Sequence, residues 1–337
     1  MKNPMKQMYP LMAGLALMMF AGSAIAAPPS PAVHENAAGG IRFLEAGQPP
    51  VVIYPLVGNA QRARAAQRKS GTSGGNLYYH GGTGGIGVET APHIYVVFWG
   101  SQWINNDPSG EAAIVESLLG SVGGSSWLNT VTQYCQGVAN GTVFCNGAGT
   151  PAGNQANMLV SYWYDSAKAA PRHPKQSQIA AEAVRAAQYF GNTATGSNVT
   201  TQYVIATATG NNSGGFGRQY CAYHSSTNSA YGNVAYTNLP YITDAGASCG
   251  ANFNGLGPDA GISIVEGHEA AETITDQFPS GGWLDSSGSE IGDKCAWISS
   301  GQGASADVTF PDGTTFPMQS LWSNAFNSGS GGCVMSY

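Results

Sequence analysis

The run His93-Ile94-Tyr95-Val96-Val97-Phe98-Trp99 sets the fold class of this sequence. Its β-branched and aromatic residues lie between Pro92 and Gly100, a composition typical of a buried β-strand. Residues 203–208 form a second run of this kind, and residues 233–236 form a third. Apolar residues at helical spacing predict helices over residues 111–119, 178–190 and 259–276.

This alternation of strands and helices predicts an α+β fold, close to α/β, with a central mixed sheet. Residues 278–337 are rich in Gly and Ser, so we expect an irregular C-terminal part. Within it, Pro311-Asp312-Gly313 predicts the turn of a hairpin over residues 308–316. No fixed-period repeat is visible, and a solenoid is therefore not expected.

Composition and charge exclude several classes of function. The protein has 337 residues, of which 42% are hydrophobic and only 9% are charged. This apolar fraction is enough for a sizeable core, so global disorder is not expected. The 13 Lys and Arg residues are outnumbered by 19 Asp and Glu residues, which leaves a net charge of −6. We therefore expect no nucleic-acid partner, because neutralising phosphates needs clustered cations.

The N-terminus predicts export. Lys2 and Lys6 precede an apolar run over residues 11–20, and Ala24-Ile25-Ala26 matches the small-x-small pattern of a signal-peptidase site. The apolar run is too short for a membrane-spanning helix, so we expect no stable membrane insertion. We predict a signal peptide over residues 1–26, cleaved near Ala26, and a mature protein that is secreted or periplasmic.

Residues 27–75 differ in composition from the rest of the chain. They begin with Ala-Pro-Pro-Ser-Pro, carry four cations between Arg62 and Lys69, and run into a Gly/Ser-rich linker. A short basic segment before such a linker is typical of a solvated face or of a pro-segment cleavage site. We therefore interpret residues 27–75 as a leader outside the core and a candidate pro-segment, and residues 76–337 as a single catalytic-type domain.

Six cysteines lie downstream of the predicted cleavage site, and an even number favours disulfide bonds in an exported protein. No CxxC pair is present, so a cysteine zinc site is not expected. The spacing suggests the pairs Cys135–Cys145, Cys221–Cys249 and Cys295–Cys333.

Eight acidic residues lie between Asp259 and Asp293, with no Lys or Arg among them. Carboxylates gathered in this way must spread into solvent, hold protons through raised pKa values, or share a metal ion. A metal ion is the most specific of these explanations, because His268 lies in the same segment. The acids are Asp259, Glu266, Glu269, Glu272, Asp276, Asp285, Glu290 and Asp293.

His268 begins an HExxE motif. His268 and Glu272 are four residues apart and share one helix face, the spacing with which HExxH peptidases present two ligands to zinc. Glu269 is placed to act as a general base. Asp276 continues the same face one turn further on. We expect this helix to be half-buried, because its apolar residues suit one buried side.

Further ligands are expected from the loop Glu290-Ile291-Gly292-Asp293, which Cys295 tethers. Zinc is the first expectation, and calcium or manganese are alternatives, because Glu272 in place of a second histidine favours harder ions. Two other interpretations of the loop stay open. It is a turn with solvated acids, or a calcium loop, since the order Asp-x-Ser-x-Ser-Glu from Asp285 to Glu290 weakly resembles one.

His224 and four tryptophans are further candidates. His224 follows Cys221 by three residues and is anchored by a predicted disulfide. It is either a functional group, as a ligand or an oxyanion stabiliser, or a hydrogen-bonded structural histidine. The tryptophans line a cleft for peptide or cell-wall glycan, or they belong to the core. They are Trp99, Trp103, Trp163 and Trp283.

The HExxE motif at residues 268–272, together with the segment Glu290-Ile291-Gly292-Asp293-Lys294-Cys295, resembles the EXORDIUM / phosphate-induced protein 1 family and its bacterial secreted relatives. The resemblance covers residues 76–337. The other matching segments, in the family's order, include Val97-Phe98-Trp99-Gly100, Cys221-Ala222-Tyr223-His224, Asn238-Leu239-Pro240-Tyr241 and Leu321-Trp322-Ser323-Asn324-Ala325.

The resemblance implies an exported protein with a zincin-like core of peptidase type. Plant members of the family are chiefly associated with growth and cell-wall signalling. His224 matches the family's cysteine-linked histidine, which favours a functional role for it. The residues at the other motif positions are His268, Glu269, Glu272, Glu290 and Asp293.

Three functions are compatible with these features. The first is an exported metallopeptidase that acts on proteins or peptides. The second is a carboxyl peptidase that uses an acid pair with raised pKa values at acidic pH. The third is a non-enzymatic extracellular binding protein with structural calcium and aromatic residues that contact glycan. In the first, which we favour, the catalytic groups are Glu269 and His224, and the metal ligands are His268, Glu272, Glu290 and Asp293.

Overall fold

The strands and helices of the chain are known from a computed structural model that describes residues 39–70 and 75–337. The signal peptide predicted over residues 1–26 lies outside the described residues. The described strands are β1 (Gly40–Arg42), β2 (Val51–Tyr54), β3 (Tyr78–Tyr79), β4 (His93–Trp99), β5 (Cys135–Gln136), β6 (Thr150–Pro151), β7 (Leu159–Asp165), β8 (Thr201–Thr207), β9 (Ala222–Ser229), β10 (Gly232–Leu239), β11 (Trp283–Leu284), β12 (Ala306–Thr309), β13 (Thr315–Met318), β14 (Leu321–Ser323) and β15 (Gly332–Val334). The described α-helices are α1 (Val57–Ser70), α2 (Glu111–Ser121), α3 (Gln176–Tyr189), α4 (Ala260–Thr275) and α5 (Phe326–Gly329).

A seven-stranded mixed sheet in the order β1-β2-β9-β10-β8-β4-β7 organises the fold. Four neighbouring strands, β10, β8, β4 and β7, run parallel to one another. On the other side, β9 is antiparallel to β10, β2 is antiparallel to β9, and β1 is antiparallel to β2. The predicted central mixed sheet is therefore present in a mixed α/β structure.

Helices cover both faces of this sheet, which explains why β4 is an uninterrupted apolar run. Successive side chains of a strand point to opposite faces. Val96 and Phe98 belong to one core, together with residues of α2 and α4. Val97 belongs to a second core with residues of α3. Parallel strands buried on both faces have continuous apolar sequences for this reason.

The sequence predicted three strands of this sheet, β4, β8 and β10, and missed β1, β2, β7 and β9. The predicted helices over residues 111–119, 178–190 and 259–276 correspond to α2, α3 and α4 with small shifts at their ends. Strand β9 has the polar sequence Ala-Tyr-His-Ser-Ser-Thr-Asn-Ser, which lacks an apolar run. It is a strand because it pairs along its length with β10 in a hairpin.

The N-terminal segment belongs to the sheet, contrary to the expectation that it lies outside the core. All four residues of β2 are buried, and all four pair with β9. Helix α1 follows directly, and its Ala60 joins the core that contains α4. The expectation that residues 27–75 lie outside the core is therefore wrong for Val51–Tyr54. This four-residue apolar run is buried because it pairs with β9. Cleavage of this segment as a pro-segment stays a prediction.

Three disulfide bonds hold the loops around the sheet, and their pairing is the one that the spacing suggested. The bonds join Cys135 to Cys145, Cys221 to Cys249, and Cys295 to Cys333. The predicted C-terminal hairpin is present as β12 paired with β13. In the part of the chain that is described, we find no helix whose length and apolar character would let it cross a membrane.

Candidate metal centre

Helix α4 is buried along its entire length, from Ala260 to Thr275. The sequence predicted a half-buried helix, because its apolar residues suit one buried side. Instead, β9 and β10 lie against one side, and β13 lies against another. A Cβ atom at Gly267 would lie 2.4 Å from Cε of Met318, so the end of this side chain of β13 packs directly on the helix at the glycine. The polar residues of α4 therefore face protein and must find partners there.

His268 and Glu272 form the first part of the centre. His268 Nε2 lies 3.0 Å from Glu272 Oε2, one helical turn away. The His268 ring stacks on Tyr54 of β2 with 3.9 Å between ring centroids, and the Tyr54 hydroxyl donates a hydrogen bond of 2.6 Å to Oε1 of Gln319. Both nitrogens of His268 lack a hydrogen-bond partner. Stacking thus holds the ring while its nitrogens stay available.

The loop that contains Gly292 and Asp293 fixes the orientation of Glu272. The backbone N–H groups of Gly292 and Asp293 donate to Glu272 Oε1 at 3.1 and 2.8 Å. A Cβ atom at Gly292 would lie 2.3 Å from Nδ1 of His268, so only glycine allows this approach. Glu272 Oε2 and Asp293 Oδ1 are buried without partners. The loop therefore donates hydrogen bonds to one oxygen of Glu272, and the other oxygen is directed towards the centre.

His224 reaches the same centre from β9. Its Nδ1 lies 3.2 Å from Glu269 Oε2 and 3.7 Å from Glu272 Oε2. Its Nε2 lies 3.6 Å from Glu290 Oε2. The side chains of all four residues are completely buried. His224 therefore stands among three carboxyl groups from two different parts of the chain.

Burial dominates the electrostatics of these groups. It raises the pKa of Glu269 to about 8, although the hydrogen bond with His224 lowers this pKa in part. It also raises the pKa of Glu290 well above its usual range, with a further contribution from Glu272, and it raises that of Asp293. Burial lowers the pKa of His224, but the bond with Glu269 and the nearby carboxylates outweigh it, so the net shift is upward. Without a cation, these carboxyl groups hold protons.

Asp276 and Glu266 are both buried, but their hydrogen-bond contacts differ. Asp276 accepts hydrogen bonds from the backbone N–H groups of Ser280 and Gly281, at 2.8 and 3.0 Å, and so stabilises the turn after α4. Both oxygens of Glu266 lack partners, but neither belongs to the converging set of ligand atoms. Asp276 also shares a hydrogen bond with the Glu290 carboxyl group and so lies beside the converging group, whereas Glu266 belongs to neither ligand set.

Two sets of three ligand atoms converge in this centre, each within 4.8 Å. One set comes from His268, Glu272 and Asp293, and the other from His224, Glu272 and Glu290. The residues fit a divalent cation, because several of their buried nitrogens and oxygens lack partners and imidazole with carboxylate is a common donor set. The structure thus brings together all six residues that the sequence analysis assigned to the site.

Other sequence candidates lie elsewhere. Trp103 and Trp283 are 5% and 0% exposed and belong to the core, so they line no cleft. Trp99 and Trp163 pack against the core on the α3 side of the sheet, away from α4. Asp285, the first residue of the calcium-like order, accepts a hydrogen bond of 2.6 Å from Lys294 Nζ. Lys294 therefore pairs with Asp285 at the position where a calcium loop would bind its ion.

Sequence reasoning missed Tyr54, Gln319 and Gly292 as parts of the centre. Tyr54 lies in the segment interpreted as a leader, and Gln319 follows the C-terminal hairpin. Gln319 Nε2 donates to the Gly292 carbonyl at 2.9 Å, which links the Tyr54 hydroxyl to the loop. No local pattern identifies such residues, because their partners are distant in sequence.

The centre is closed from both sides. Tyr54 covers His268, and Gly39 lies close enough to Asp293 that a Cβ atom at Gly39 would overlap its carboxyl group. Both covering residues come from the N-terminal segment.

Comparison of the chain with protein-family models, with curated proteins and with solved structures finds no match. The geometry of the centre is therefore the main ground for a functional conclusion.

Proposed function

We propose that this protein is an exported, metal-dependent hydrolase, and specifically a metallopeptidase with a zincin-like core. The observation that carries the proposal is the convergence of His268 Nε2, Glu272 Oε2 and Asp293 on one buried point beside Glu269. These ligand atoms lie within 4.8 Å of one another, and His268 Nε2 and Glu272 Oε2 have no hydrogen-bond partner. A buried polar atom without a partner is costly, and a bound cation removes that cost.

The donor set favours zinc. One imidazole nitrogen and two carboxylate groups, from His268, Glu272 and Asp293, resemble the mixed nitrogen and oxygen sets of catalytic zinc sites. Two carboxylates also suit manganese, and calcium fits less well because it takes oxygen ligands. The bound ion would polarise a substrate carbonyl and make water a stronger acid at neutral pH.

Glu269 is placed to move the proton. Its Oε2 is held by His224 Nδ1 at 3.2 Å, and its Oε1 is buried without a partner. Burial raises the pKa of Glu269 to about 8 when no cation is bound, and a bound cation would lower it towards neutral pH. A general base works best when its pKa lies near the working pH. Glu269 Oε1 therefore accepts the proton of the attacking water, and His224 acts as a positioning residue that holds Oε2.

Complete burial favours one alternative, a structural metal site in a non-enzymatic extracellular protein. The side chains of His224, His268, Glu269, Glu272 and Glu290 are all 0% exposed. A peptide reaches such a centre only if one of the segments that cover it moves, such as the one that contains Gly39 and Tyr54. The hydrolase proposal thus requires opening of this cover, whereas the structural-site alternative does not.

The variant Glu269→Gln tests the proposal. We expect it to lose hydrolysis of a broad peptide library while it keeps the metal content of the wild type, because Glu269 is absent from the first ligand set. Glu266→Gln is the matched control. It lies one turn away on α4, is equally buried, and is expected to keep both activity and metal.

Three outcomes would count against the mechanism. Unchanged hydrolysis by Glu269→Gln excludes Glu269 as the base. Hydrolysis at acidic pH that survives a chelator selects a carboxyl peptidase. Bound metal that raises the melting temperature of the wild type, without turnover of any peptide, selects the structural site.

A further inference from the structure

We infer that the centre binds two divalent transition-metal cations, with Glu272 shared between them. The inference rests on the proposed function for the first cation, held by His268, Glu272 and Asp293. The second cation is assigned to His224, Glu272 and Glu290, whose ligand atoms also lie within 4.8 Å of one another. These two sets have only Glu272 in common.

The free atoms of Glu272 and His224 support a second cation. Glu272 Oε1 already accepts two backbone N–H groups, so Oε2 is the atom available for sharing. That oxygen lies 3.0 Å from His268 Nε2 of the first set, and Glu272 also belongs to the second set, whose ligand atoms lie within 4.8 Å of one another. A carboxylate common to ligand sets from α4 and β9 is placed to bridge two ions.

His224 has the environment of a metal ligand. With Nδ1–H donating to Glu269 Oε2, its Nε2 carries a lone pair, and this nitrogen is buried without a partner. It faces Glu290 Oε2 at 3.6 Å, and the Glu290 carboxyl group is held in turn by a hydrogen bond with Asp276. Metal-bound histidines usually donate their other ring N–H to a carboxylate, which fixes the tautomer and the ring orientation. The Glu269–His224 pair has that arrangement.

The spacing of the two ligand sets also suits two cations. Glu269, Glu272 and Glu290 each lie against a histidine of the centre. Two-metal hydrolases hold their ions about 3.5–4 Å apart, a separation compatible with two ligand sets of this size that share one carboxylate.

The test is the number of ions bound per chain. The full chain is stripped with a chelator, dialysed against zinc or manganese, and measured by elemental analysis. We expect two ions in the wild type and one in each of the isosteric variants Glu290→Gln and Asp293→Asn, since each removes a ligand of one set. Glu272→Gln is expected to lose both, and Glu266→Gln is the matched control that keeps two.

Manganese provides a second measurement that does not depend on activity. Two bridged Mn²⁺ ions couple magnetically, and their resonance spectrum differs from that of isolated Mn²⁺. We expect a coupled spectrum in the wild type and an isolated-ion spectrum in Glu290→Gln. Circular dichroism of each variant identifies those that fail to fold, and only folded variants are compared.

The outcomes separate this inference from the proposed function. One ion in the wild type, lost in Asp293→Asn and kept in Glu290→Gln, overturns the second cation and leaves the first. No bound ion in the wild type overturns both. Two ions in folded Glu290→Gln overturn the assignment of the second cation to Glu290.

Discussion

The clearest prediction concerns Glu89, a buried carboxyl group that lies outside the candidate metal centre. Its Oε2 accepts one hydrogen bond of 2.9 Å from Gln202, and its Oε1 has no partner. Burial raises the pKa of Glu89 from 4.5 to about 8, and the bond with Gln202 offsets only part of this shift. The folded protein therefore holds a proton on Glu89 that the unfolded chain releases at neutral pH.

The perturbation is Glu89→Gln, which keeps the shape and removes the titration. Because the pKa is higher in the folded state, stability is greatest below about pH 4.5 and falls as the pH rises towards about 8. At 1.36 kcal/mol for each pKa unit, the advantage of the variant over the wild type should grow by about 2.5 kcal/mol between roughly pH 5 and pH 7. The Gln side chain can still accept the bond from Gln202.

Urea denaturation of both proteins at the two pH values measures this difference. Other titrating groups cancel, because they are the same in both proteins. Asp307→Asn, an acid-to-amide change at an exposed position of β12, is the control and should show no such growth. A constant difference between Glu89→Gln and the wild type would refute the reasoning, since it would mean that Glu89 ionises normally when buried. The argument that clustered site acids need a cation would then weaken as well.

Two further predictions concern the loop beside His268. Gly292→Ala should weaken zinc binding by roughly 10- to 100-fold, because the added Cβ would lie 2.3 Å from His268 Nδ1. Gly120→Ala in α2 meets no atom within 4 Å and should leave the zinc affinity unchanged. Zinc titration with a competing chelator compares the two variants, and equal affinities would show that the close approach of Gly292 to His268 does not matter. Replacing Cys295 and Cys333 together by Ser should lower the free energy of unfolding by about 2–4 kcal/mol, because the bond closes a loop with a sequence separation of 38. Denaturant titration measures this loss, and an unchanged midpoint would show that the bond contributes little.

Local features of the fold could be predicted because they depend on neighbours in sequence. Helix α4 follows from its apolar periodicity, and β4 follows from its β-branched and aromatic run. The hairpin of β12 and β13 follows from Pro311-Asp312-Gly313. Strand β9 could not be predicted, since its polar sequence becomes a strand only through pairing with β10 and β2.

The candidate site divides in the same way. The spacing of His268 and Glu272 determines that they share a helix face, whatever surrounds them. The position of His224 between Glu269 and Glu290 depends on how a hairpin strand lies across α4, and no spacing contains that information. Tyr54 is the extreme case, because a segment interpreted as a leader supplies the ring that stacks on His268.

The sequence by itself determined the α4 motif, the strand-and-helix alternation, the even set of cysteines and the excess of acids without cations. Only the tertiary structure decided that six of the eight acids between Asp259 and Asp293 are buried and that two ligand sets share Glu272. The physical reason is that desolvation depends on what packs around a group. Composition does not show that β2, β9 and β13 enclose α4, and this enclosure turns eight scattered acids into one converging centre and a few isolated groups.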